Sequence, residues 1–365
     1  MIEIPVELGT RRYAVNIGHG LLSMLRDLLG PFTGRRTVLV TNERVWRLHG
    51  PRVARHLRPL GSIHRVSLPD GERYKSRVSL NRLHDEFLKA GLARDGLVLA
   101  LGGGVVGDLT GYAAATYMRG VDWIPIPTTL LSMVDSAIGG KVGINHPLAK
   151  NLIGAFHQPR AVVIDPSFLD SVPPREIQSG SYEILKCAVL GDRALFKALL
   201  SAPGSLREWD HIERERAIAA TCRIKAEVVE KDERERDLRR VLNLGHTLGH
   251  ALEAVTRYRR YTHGEAVGWG LIGAAWIAAR RGLLPQGSFD AIAEAVDHLG
   301  PRPKVSDLPV PALLAALRRD KKSHKGRVHF VLPTAIGRVI VRPDVEDAEV
   351  RHALRVMAER EARLA

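Results

Sequence analysis

The segment LVLALGGGVVGD, residues 97–108, joins an apolar run to three consecutive glycines and an aspartate. Five consecutive apolar residues predict a buried β-strand, and the glycines after them predict a turn that leads into a helix. Small residues in such a turn let a phosphate group approach the backbone, and the helix N-terminus offers it free N–H donors. The segment therefore predicts a strand, a turn and a helix that could hold a pyrophosphate.

The glycines of this turn also fit the GxGxxG spacing. Gly102, Gly104 and Gly107 supply the match, which is weak evidence when taken alone. In a standard Rossmann unit the motif lies on the first βα turn, and an acidic residue follows about twenty residues later. Here the turn comes on a later strand, and no acidic residue follows a strand at the expected place. Close packing of helix on strand is the alternative, but three glycines with Asp108 favour a pyrophosphate site.

Strand and helix patterns alternate on both sides of this segment. Short apolar or β-branched runs predict strands at residues 37–40, 123–126 and 161–164, and a helical pattern covers residues 79–90. Such alternation is typical of βα units around a mostly parallel sheet. We therefore predict an α/β, nucleotide-binding domain over residues 1–174.

The second half of the chain has a different pattern. Between residues 177 and 296 the apolar spacing is mainly helical, as in residues 212–229. Pro173 and Pro174 would stop any helix, so we place the domain boundary there and predict a mainly α-helical domain over residues 175–365. Two late strands are predicted at residues 329–332 and 339–341.

Composition limits the classes of function. The 365 residues are 45% hydrophobic and 26% charged, as in an ordinary globular protein of two domains. No apolar run reaches the ~18 residues of a membrane span, and the first residues lack the pattern of a secretory signal. Cys187 and Cys222 do not form a CxxC motif or a disulfide framework. We expect a cytoplasmic protein with no membrane partner.

The basic residues allow two interpretations. The formal charge of +14 could indicate a nucleic-acid binder, which would be a protein without enzymatic activity. The basic residues are scattered, however, and they form neither a tail nor a block, and no nucleic-acid motif is found. An anionic small-molecule substrate is the interpretation that we favour.

Two histidines in the segment NLGHTLGH have a spacing that suits a metal. His246 and His250 lie four residues apart, so on a helix both imidazoles share one face. Such a pair could bind a divalent metal, or could supply one metal ligand and one acid or base. Thr247 stands where the zincin motif HExxH needs its glutamate, so the segment is not a zincin. A structural role for this pair is an equally weighted alternative.

Further candidates lie elsewhere in the chain. Glu183 and Lys186 are three residues apart, and His263 is a third histidine in a polar segment. One carboxylate and two imidazoles would leave positions on a metal open for substrate oxygens, as Lewis-acid catalysis requires.

Several basic residues are predicted to lie in loops. Lys141 and Lys150 occur among glycine, proline and asparagine, with Arg119 and Asp135 nearby in sequence. They could clamp a carboxylate and a phosphate, or they could simply be solvated. The charged run KDERERD, residues 231–237, has the composition of a solvated helix face.

Taken together in order, seven segments resemble the 3-dehydroquinate synthase family, a branch of the sugar phosphate cyclases, over nearly the whole chain. They are residues 70–75, 102–120, 127–151, 180–186, 242–253, 263–267 and 320–322. The resemblance implies that the α/β domain binds NAD and that the helical domain binds a divalent metal, usually zinc and in some cases cobalt. It also implies a homodimer in which Arg119 is supplied across the interface.

The resemblance assigns roles residue by residue. It implies that the metal ligands are Glu183, His246 and His263, and that the catalytic residues are His250, Glu235 and Lys186. The implied NAD contacts are Asn42, Asp70, Glu72, Lys75, Gly103, Gly104, Val105, Asp108, Thr128, Thr129, Lys150, Phe168, Leu169, Asp170 and Ser171. The implied substrate contacts are Arg119, Asp135, Lys141, Asn151, Lys225, Arg239, Asn243 and Lys322.

The reaction that the resemblance implies converts 3-deoxy-D-arabino-heptulosonate 7-phosphate to 3-dehydroquinate and phosphate, in the shikimate pathway to the aromatic amino acids. It combines transient oxidation by NAD, phosphate elimination, re-reduction and an intramolecular aldol closure. Two alternatives are another sugar phosphate cyclase, which makes a deoxy-inosose or a valiolone, and a metal-dependent polyol dehydrogenase. The chain departs from the family pattern at Tyr182, Cys187 and Leu248, and none of these changes removes a functional group.

Overall fold

The computed structural model describes residues 1–323 and 328–364, without the side chains of residues 319–323 and 364. The strands are β1 (Ile2–Val6), β2 (Tyr13–Ile17), β3 (Thr37–Asn42), β4 (Ile63–Leu68), β5 (Leu97–Gly102), β6 (Asp122–Pro127), β7 (Lys141–His146), β8 (Ala149–Phe156), β9 (Ala161–Ile164), β10 (Phe330–Ala335) and β11 (Arg338–Arg342). The helices are α1 (Leu25–Leu28), α2 (Glu43–Leu57), α3 (Arg77–Lys89), α4 (Gly104–Thr116), α5 (Pro174–Gly191), α6 (Arg193–Ser201), α7 (His211–Lys231), α8 (His246–Val255), α9 (His263–Arg280), α10 (Gln286–His298), α11 (Val310–Ser323) and α12 (Asp347–Leu364).

The chain forms two compact units. The first contains residues 1–172 and 210–234, and the second contains residues 173–209 and 235–365. The break after Val172 lies close to the predicted boundary. The predicted division at residue 174 nevertheless differs from the structure in one respect, because α7 belongs to the first unit. An amphipathic helix shows which of its faces is apolar, but its sequence does not show which unit that face packs against.

A parallel sheet forms the centre of the first unit. Its strand order is β4-β3-β5-β6, and the four strands run in the same direction. Every residue of β5 is buried, as expected of a central parallel strand that is covered on both faces. A second sheet has the order β1-β2-β9. The strands and the intervening helices confirm the predicted α/β class.

The strand order places the glycine turn at a particular point of this sheet. From β3 the chain crosses to β4 on one side, and then returns to add β5 on the other side of β3. In open α/β sheets, ligands bind at the carboxyl ends of the strands where the order reverses in this way. The turn after β5 therefore occupies the position of a nucleotide site, although it does not follow the first strand.

Lys141 and Lys150 lie on strands, and the prediction that they lie in loops is wrong. Lys141 begins β7 and Lys150 is the second residue of β8, and the two strands form an antiparallel hairpin. A further glycine of this hairpin permits a close approach of the two backbones. A Cβ on Gly143 would lie 2.5 Å from the carbonyl oxygen of Ile153, which leaves room only for glycine.

Helices make up most of the second unit. Helix α9 is its central element, because 14 of its 18 residues are buried. Helices α5, α8, α10 and α12 pack against it. The late strands β10 and β11 form an antiparallel hairpin, as predicted. The mainly helical character of this unit is confirmed.

Over residues 1–323 and 328–364, we find no helix whose length and apolar character would allow it to cross a membrane.

Candidate metal and dinucleotide sites

Three helices of the second unit bring the predicted metal ligands together. Glu183 lies on α5, His246 is the first residue of α8, and His263 is the first residue of α9. These helices approach closely at glycines. A Cβ on Gly264 would lie 1.9 Å from the carbonyl oxygen of Ser179 on α5, and one on Gly270 would lie 1.8 Å from the carbonyl oxygen of Gly245. The close packing explains why residues far apart in sequence meet at one point.

The three side chains converge within metal-binding distance. Glu183 Oε1 lies 3.8 Å from His246 Nε2 and 3.5 Å from His263 Nε2. One ligand atom from each residue lies within 4.8 Å of the other two. Glu183 is only 1% exposed; its Oε2 lies 2.5 Å from Lys186 Nζ, whereas its Oε1 has no hydrogen-bond donor among the described residues. A buried carboxylate is costly without strong partners, so this arrangement fits a bound cation.

The protonation state of His246 also suits metal binding. Burial holds the pKa of its imidazole well below the ordinary value, and the nearby ammonium of Lys186 lowers that pKa further. A histidine binds a metal only in its neutral form. His246 Nδ1 lies 3.2 Å from the carbonyl oxygen of Leu244, to which it can donate, so Nε2 is left with a lone pair facing Glu183. A carboxylate and two neutral imidazoles are the ligand types of a catalytic zinc site.

His250 lies beside this donor set and is exposed. Its ring centroid is 5.3 Å from that of His246 and 6.1 Å from that of His263. The helical spacing predicted for the two histidines of α8 is confirmed. An exposed imidazole close to the metal ligands is placed for proton transfer.

The remaining predicted residues of the second unit differ in exposure. Arg239 is 2% exposed, and Asn243 ends the 3₁₀ turn Leu238–Asn243. Glu235 is partly buried and has a positive φ of 53°. The side chain of Lys322 lies outside the described residues. The run of residues 231–237 is not one helix face, since α7 ends at Lys231.

In the first unit, predicted NAD residues follow the ends of four neighbouring strands. Asn42 ends β3, Asp70 comes after β4, Gly103 after β5 and Thr128 after β6. Asn42 Nδ2 donates to Asp70 Oδ1 at 3.2 Å, and its Oδ1 caps α2 by accepting from Val45 N at 2.8 Å. Carboxyl ends of parallel strands share one edge of a sheet, so these side chains lie along a single edge.

The glycine turn is closely packed. A Cβ on Gly103 would lie 3.1 Å from Thr129 Cγ2, and one on Gly104 would lie 3.2 Å from Ser136 Oγ. Gly104 and Val105 are the first residues of α4, where backbone N–H groups have no partner within the helix. The turn therefore has the shape and the donors of an anion site.

Lys75 contacts two more of the predicted residues. Its ammonium group is buried and donates to the carboxylate of Asp108 and to Asn151 Oδ1. Burial raises the pKa of Asp108, and the charge of Lys75 partly offsets that effect.

Asn145 is a neighbour of these residues to which the sequence assigned no role. Its main-chain N donates to the carbonyl oxygen of Lys75 at 2.8 Å, and its Nδ2 donates to Glu72 Oε1 at 2.8 Å. Lys150 Nζ lies 4.0 Å from the same oxygen of Glu72.

The buried Lys225 pairs with the partly exposed Asp135 within the first unit. Lys225, on α7, donates to both the main-chain oxygen and Oδ1 of Asp135, which lies in the π-helical turn Ser132–Ser136. The structure thus joins two predicted substrate contacts that are 90 residues apart in sequence. Lys141 is exposed at the start of β7. Arg119 is also exposed, at a positive φ of 68°.

The four predicted NAD positions after β9 are not alike. Phe168 and Leu169 are buried in the core. Asp170 is exposed and pairs with Arg214 at 2.9 Å, and Ser171 Oγ lies 2.8 Å from His49 Nε2. Their part in NAD binding stays a prediction.

Comparison with known proteins identifies related sequences and structures. Family models of 3-dehydroquinate synthase match residues 65–179 with the N-terminal domain and residues 180–323 with the C-terminal domain. The 3-dehydroquinate synthase of Synechococcus sp. is 40% identical, with 98% of this chain and 99% of the relative covered. That of Shewanella pealeana is 42% identical, with 94% of this chain and 96% of the relative covered.

Solved structures show the same fold. The 2-epi-5-epi-valiolone synthase of Streptomyces hygroscopicus, with NAD⁺ and Zn²⁺ bound, is 29% identical and has a TM-score of 0.86, with 99% of each chain covered. A 2-deoxy-scyllo-inosose synthase complexed with carbaglucose-6-phosphate, NAD⁺ and Co²⁺ has a TM-score of 0.88 at 24% identity, with 97% of this chain and 100% of that chain covered. At that identity the likeness shows the fold alone.

Proposed function

The chain belongs to the 3-dehydroquinate synthase family, and from this premise we propose that it is an NAD- and metal-dependent lyase. Its substrate would be 3-deoxy-D-arabino-heptulosonate 7-phosphate, and its products 3-dehydroquinate and phosphate. The observation that carries the proposal is the convergence of Glu183, His246 and His263 on one point, in a chain that shares 40–42% identity with 3-dehydroquinate synthases.

A divalent metal, zinc or cobalt, would be held by these three residues, where it would act as a Lewis acid on a hydroxyl oxygen of the substrate. The relatives of this fold with Zn²⁺ or Co²⁺ bound support this choice of metal. Lys186 supports the site from within α5. Its side chain is 2% exposed, and its ammonium would stabilise negative charge that develops on a nearby substrate oxygen.

NAD bound in the first unit would supply reversible hydride transfer and would not be consumed. The edge of the first unit's sheet supports this part of the proposal. Backbone N–H groups of Gly104 and Val105 would bind the pyrophosphate, and Asp70, held by Asn42, would accept hydrogen bonds from ribose hydroxyls. The buried side chain of Lys75, with its partners Asp108 and Asn151, would fix the cofactor's position.

His250 would move the proton of the substrate hydroxyl. The imidazole is exposed and lies beside the metal ligands, and a histidine can gain or lose a proton near neutral pH. We assign Glu235 to the same proton transfer, on the basis of family membership.

The anionic groups of the substrate require cationic and amide donors. We assign this role to Lys141, Asn151, Lys225, Arg239, Asn243 and Lys322 on the basis of family membership. Asp135 would orient Lys225, to which it is paired. Arg119 is exposed at the end of the turn after α4, a position from which it could serve a neighbouring subunit in a homodimer. We propose a cytoplasmic location for such a biosynthetic enzyme.

A substrate panel tests this proposal against the other cyclases. The purified chain, loaded with zinc and NAD, would be given three phosphorylated sugars in parallel: 3-deoxy-D-arabino-heptulosonate 7-phosphate, sedoheptulose 7-phosphate and glucose 6-phosphate. We expect phosphate release from the first alone. Release from either of the other two, and none from the first, would assign the chain to a valiolone or deoxy-inosose branch instead. A variant in which His263 is replaced by alanine controls for contaminating phosphatases.

A further inference from the structure

The carboxylate of Glu253 contacts the side of His263 that faces away from the other ligands. Glu253 Oε2 lies 3.3 Å from His263 Nδ1, whereas Glu183 Oε1 lies 3.5 Å from Nε2 of the same ring. The imidazole thus stands between two carboxylates, one at each nitrogen. Only one of them belongs to the donor set formed by Glu183, His246 and His263.

This contact favours the tautomer of His263 that carries its proton on Nδ1. The side chain of Glu253 is 7% exposed, and a buried carboxylate is stabilised by a charged or polar donor. The N–H group at Nδ1 is such a donor. With the proton held there, the lone pair of Nε2 faces Glu183, as a metal ligand requires.

The two histidine ligands are held in the same manner but by different acceptors. The Nδ1 of His246 faces a neutral acceptor, the carbonyl oxygen of Leu244, at 3.2 Å. The Nδ1 of His263 faces a carboxylate, which makes a stronger hydrogen bond and raises the basicity of the opposite nitrogen. His263 is also more exposed than His246, with 26% of its side chain accessible against 11%. The more exposed ligand therefore has the stronger partner.

Helix α8 carries Glu253 on the same face as its two histidines. Glu253 follows His250 by three residues and His246 by seven, which are spacings of one and two helical turns. The main-chain oxygen of Glu253 also accepts from Tyr258 N at 2.7 Å, in a turn where Arg257 and Tyr258 have positive φ. That turn leads toward α9, so Glu253 contacts His263 through its side chain and helps to close the connecting loop through its backbone.

We propose that Glu253 is a positioning residue, which holds the His263 imidazole in the orientation and tautomer that bind the metal. The proposal rests on the metal-dependent function proposed above. It adds a residue that family resemblance did not assign, and its test measures metal binding separately from turnover.

The test compares Glu253→Ala and Glu253→Gln with the parent chain. Zinc affinity would be measured by competition with a chromophoric chelator, and the visible spectrum of the cobalt-loaded chain would report on the ligands. Alanine removes the acceptor, and we expect a 10- to 100-fold loss of zinc affinity, the usual effect of removing such a partner. Glutamine keeps a neutral acceptor of the same size, so its loss should be smaller and its cobalt spectrum closer to that of the parent chain.

Glu294→Ala provides the matched control, because Glu294 is an exposed glutamate on helix α10 of the same unit. It should bind zinc as the parent chain does. The melting temperature of each metal-free variant separates a loss of folding from a loss of metal affinity. If Glu253→Ala destabilises the metal-free chain but binds zinc within twofold of the parent, the residue is structural and the proposal is wrong.

The number of metal ions bound per chain tests whether Glu253 is itself a metal ligand. His250, Glu253 and His263 themselves have ligand atoms within 4.8 Å of one another. Two ions bound per parent chain, reduced to one in Glu253→Gln, would mean that Glu253 is a ligand and would overturn the proposal. A parent chain that binds one zinc ion tightly but releases no phosphate would contradict the lyase function and would leave the role of Glu253 intact.

Discussion

The two candidate sites are built in different ways. In the first unit, the glycine turn after β5 offers backbone N–H groups at the start of α4, and its donors are continuous in sequence. In the second unit, Glu183, His246 and His263 come from three helices, and the first and last of them lie 80 residues apart in sequence. A backbone site depends on the local path of the chain, whereas a side-chain site depends on how helices pack.

The largest expected effect is at the side-chain site. Replacing His263 with alanine removes one of three ligands, so we expect zinc to be lost from the purified chain. Phosphate release should fall by about a thousandfold or more, because a metal contributes several kcal/mol to the stabilisation of a transition state. Metal analysis and a phosphate assay check this, with His352→Ala, an exposed histidine on α12, as the control. Full activity without bound metal would contradict the assignment of this site as the metal site.

A smaller effect is expected at the backbone site. Gly103→Val would place side-chain atoms against Thr129, where even a Cβ would lie 3.1 Å from Cγ2. We expect NAD affinity, measured by calorimetry, to fall about ten- to a hundredfold through the loss of one or two backbone hydrogen bonds.

The zinc content of Gly103→Val tests whether the two sites are independent of each other. Zinc binding should be unchanged in Gly103→Val, since the metal ligands lie in the other unit. Gly287→Ala, where a Cβ would meet no atom within 4 Å, is the control and should keep both ligands. Loss of zinc in Gly103→Val would show that the two sites are not independent.

Removal of one helix cap in each unit provides a third comparison. Thr262 caps α9 in a capping box with Glu265, directly before His263, and Ser76 caps α3 in the first unit. Either cap replaced by alanine should cost about 1 kcal/mol of stability. Only Thr262→Ala should also weaken zinc binding, by a few-fold, since it alone loosens the first turn of a helix that carries a ligand. Equal zinc affinities in the two variants would contradict this link between cap and ligand.

The smallest expected effect is on how the stability of the first unit depends on pH. Burial lowers the pKa of His157, whose Nε2 lies 2.9 Å from the carbonyl oxygen of Val121. The unfolded chain therefore binds a proton at a higher pH than the folded chain does. The stability that neutral His157 contributes is complete above pH ~6.5 and is lost as the pH falls toward its folded-state pKa.

Thermal melts at several pH values test this point. The melting temperature of the metal-free parent chain should fall by a few degrees more between pH 7.5 and 5.5 than that of His157→Gln. The same slope in both chains would mean that other groups control acid stability.

Much of the first unit could be predicted because its signals are local. The apolar run of residues 97–101 and the glycines after it specify β5, the turn and the start of α4 without reference to distant residues. Contacts between residues far apart in sequence have no such local signal. The contact of Lys225 with Asp135 depends on α7 returning to the first unit, and nothing in the pattern of α7 indicates that return.

Two other differences between the predicted and the observed structure also have physical causes. The glycine- and asparagine-rich segments around Lys141 and Lys150 were predicted to be loops, yet Gly143 and Gly154 permit the close backbone approach of a β7–β8 hairpin there. The charged run after α7 contains Glu233, which pairs with Arg11 at 2.6 Å and is not a solvated helix residue. At the metal site, resemblance indicated the three ligands, but Glu253 had only its spacing from His250 as a signal. Its contact with His263 required the packing of α8 on α9.

In the proposed function, a redox-neutral elimination requires both the dinucleotide site of the first unit and the metal site of the second. The most direct test follows phosphate, NADH and substrate in one reaction, with NAD at about one hundredth of the substrate concentration, before and after chelation of the metal. We expect one phosphate per substrate consumed, no net NADH, and no reaction once the metal is removed and until zinc is restored. Stoichiometric NADH without phosphate would contradict the account and would indicate a metal-dependent dehydrogenase.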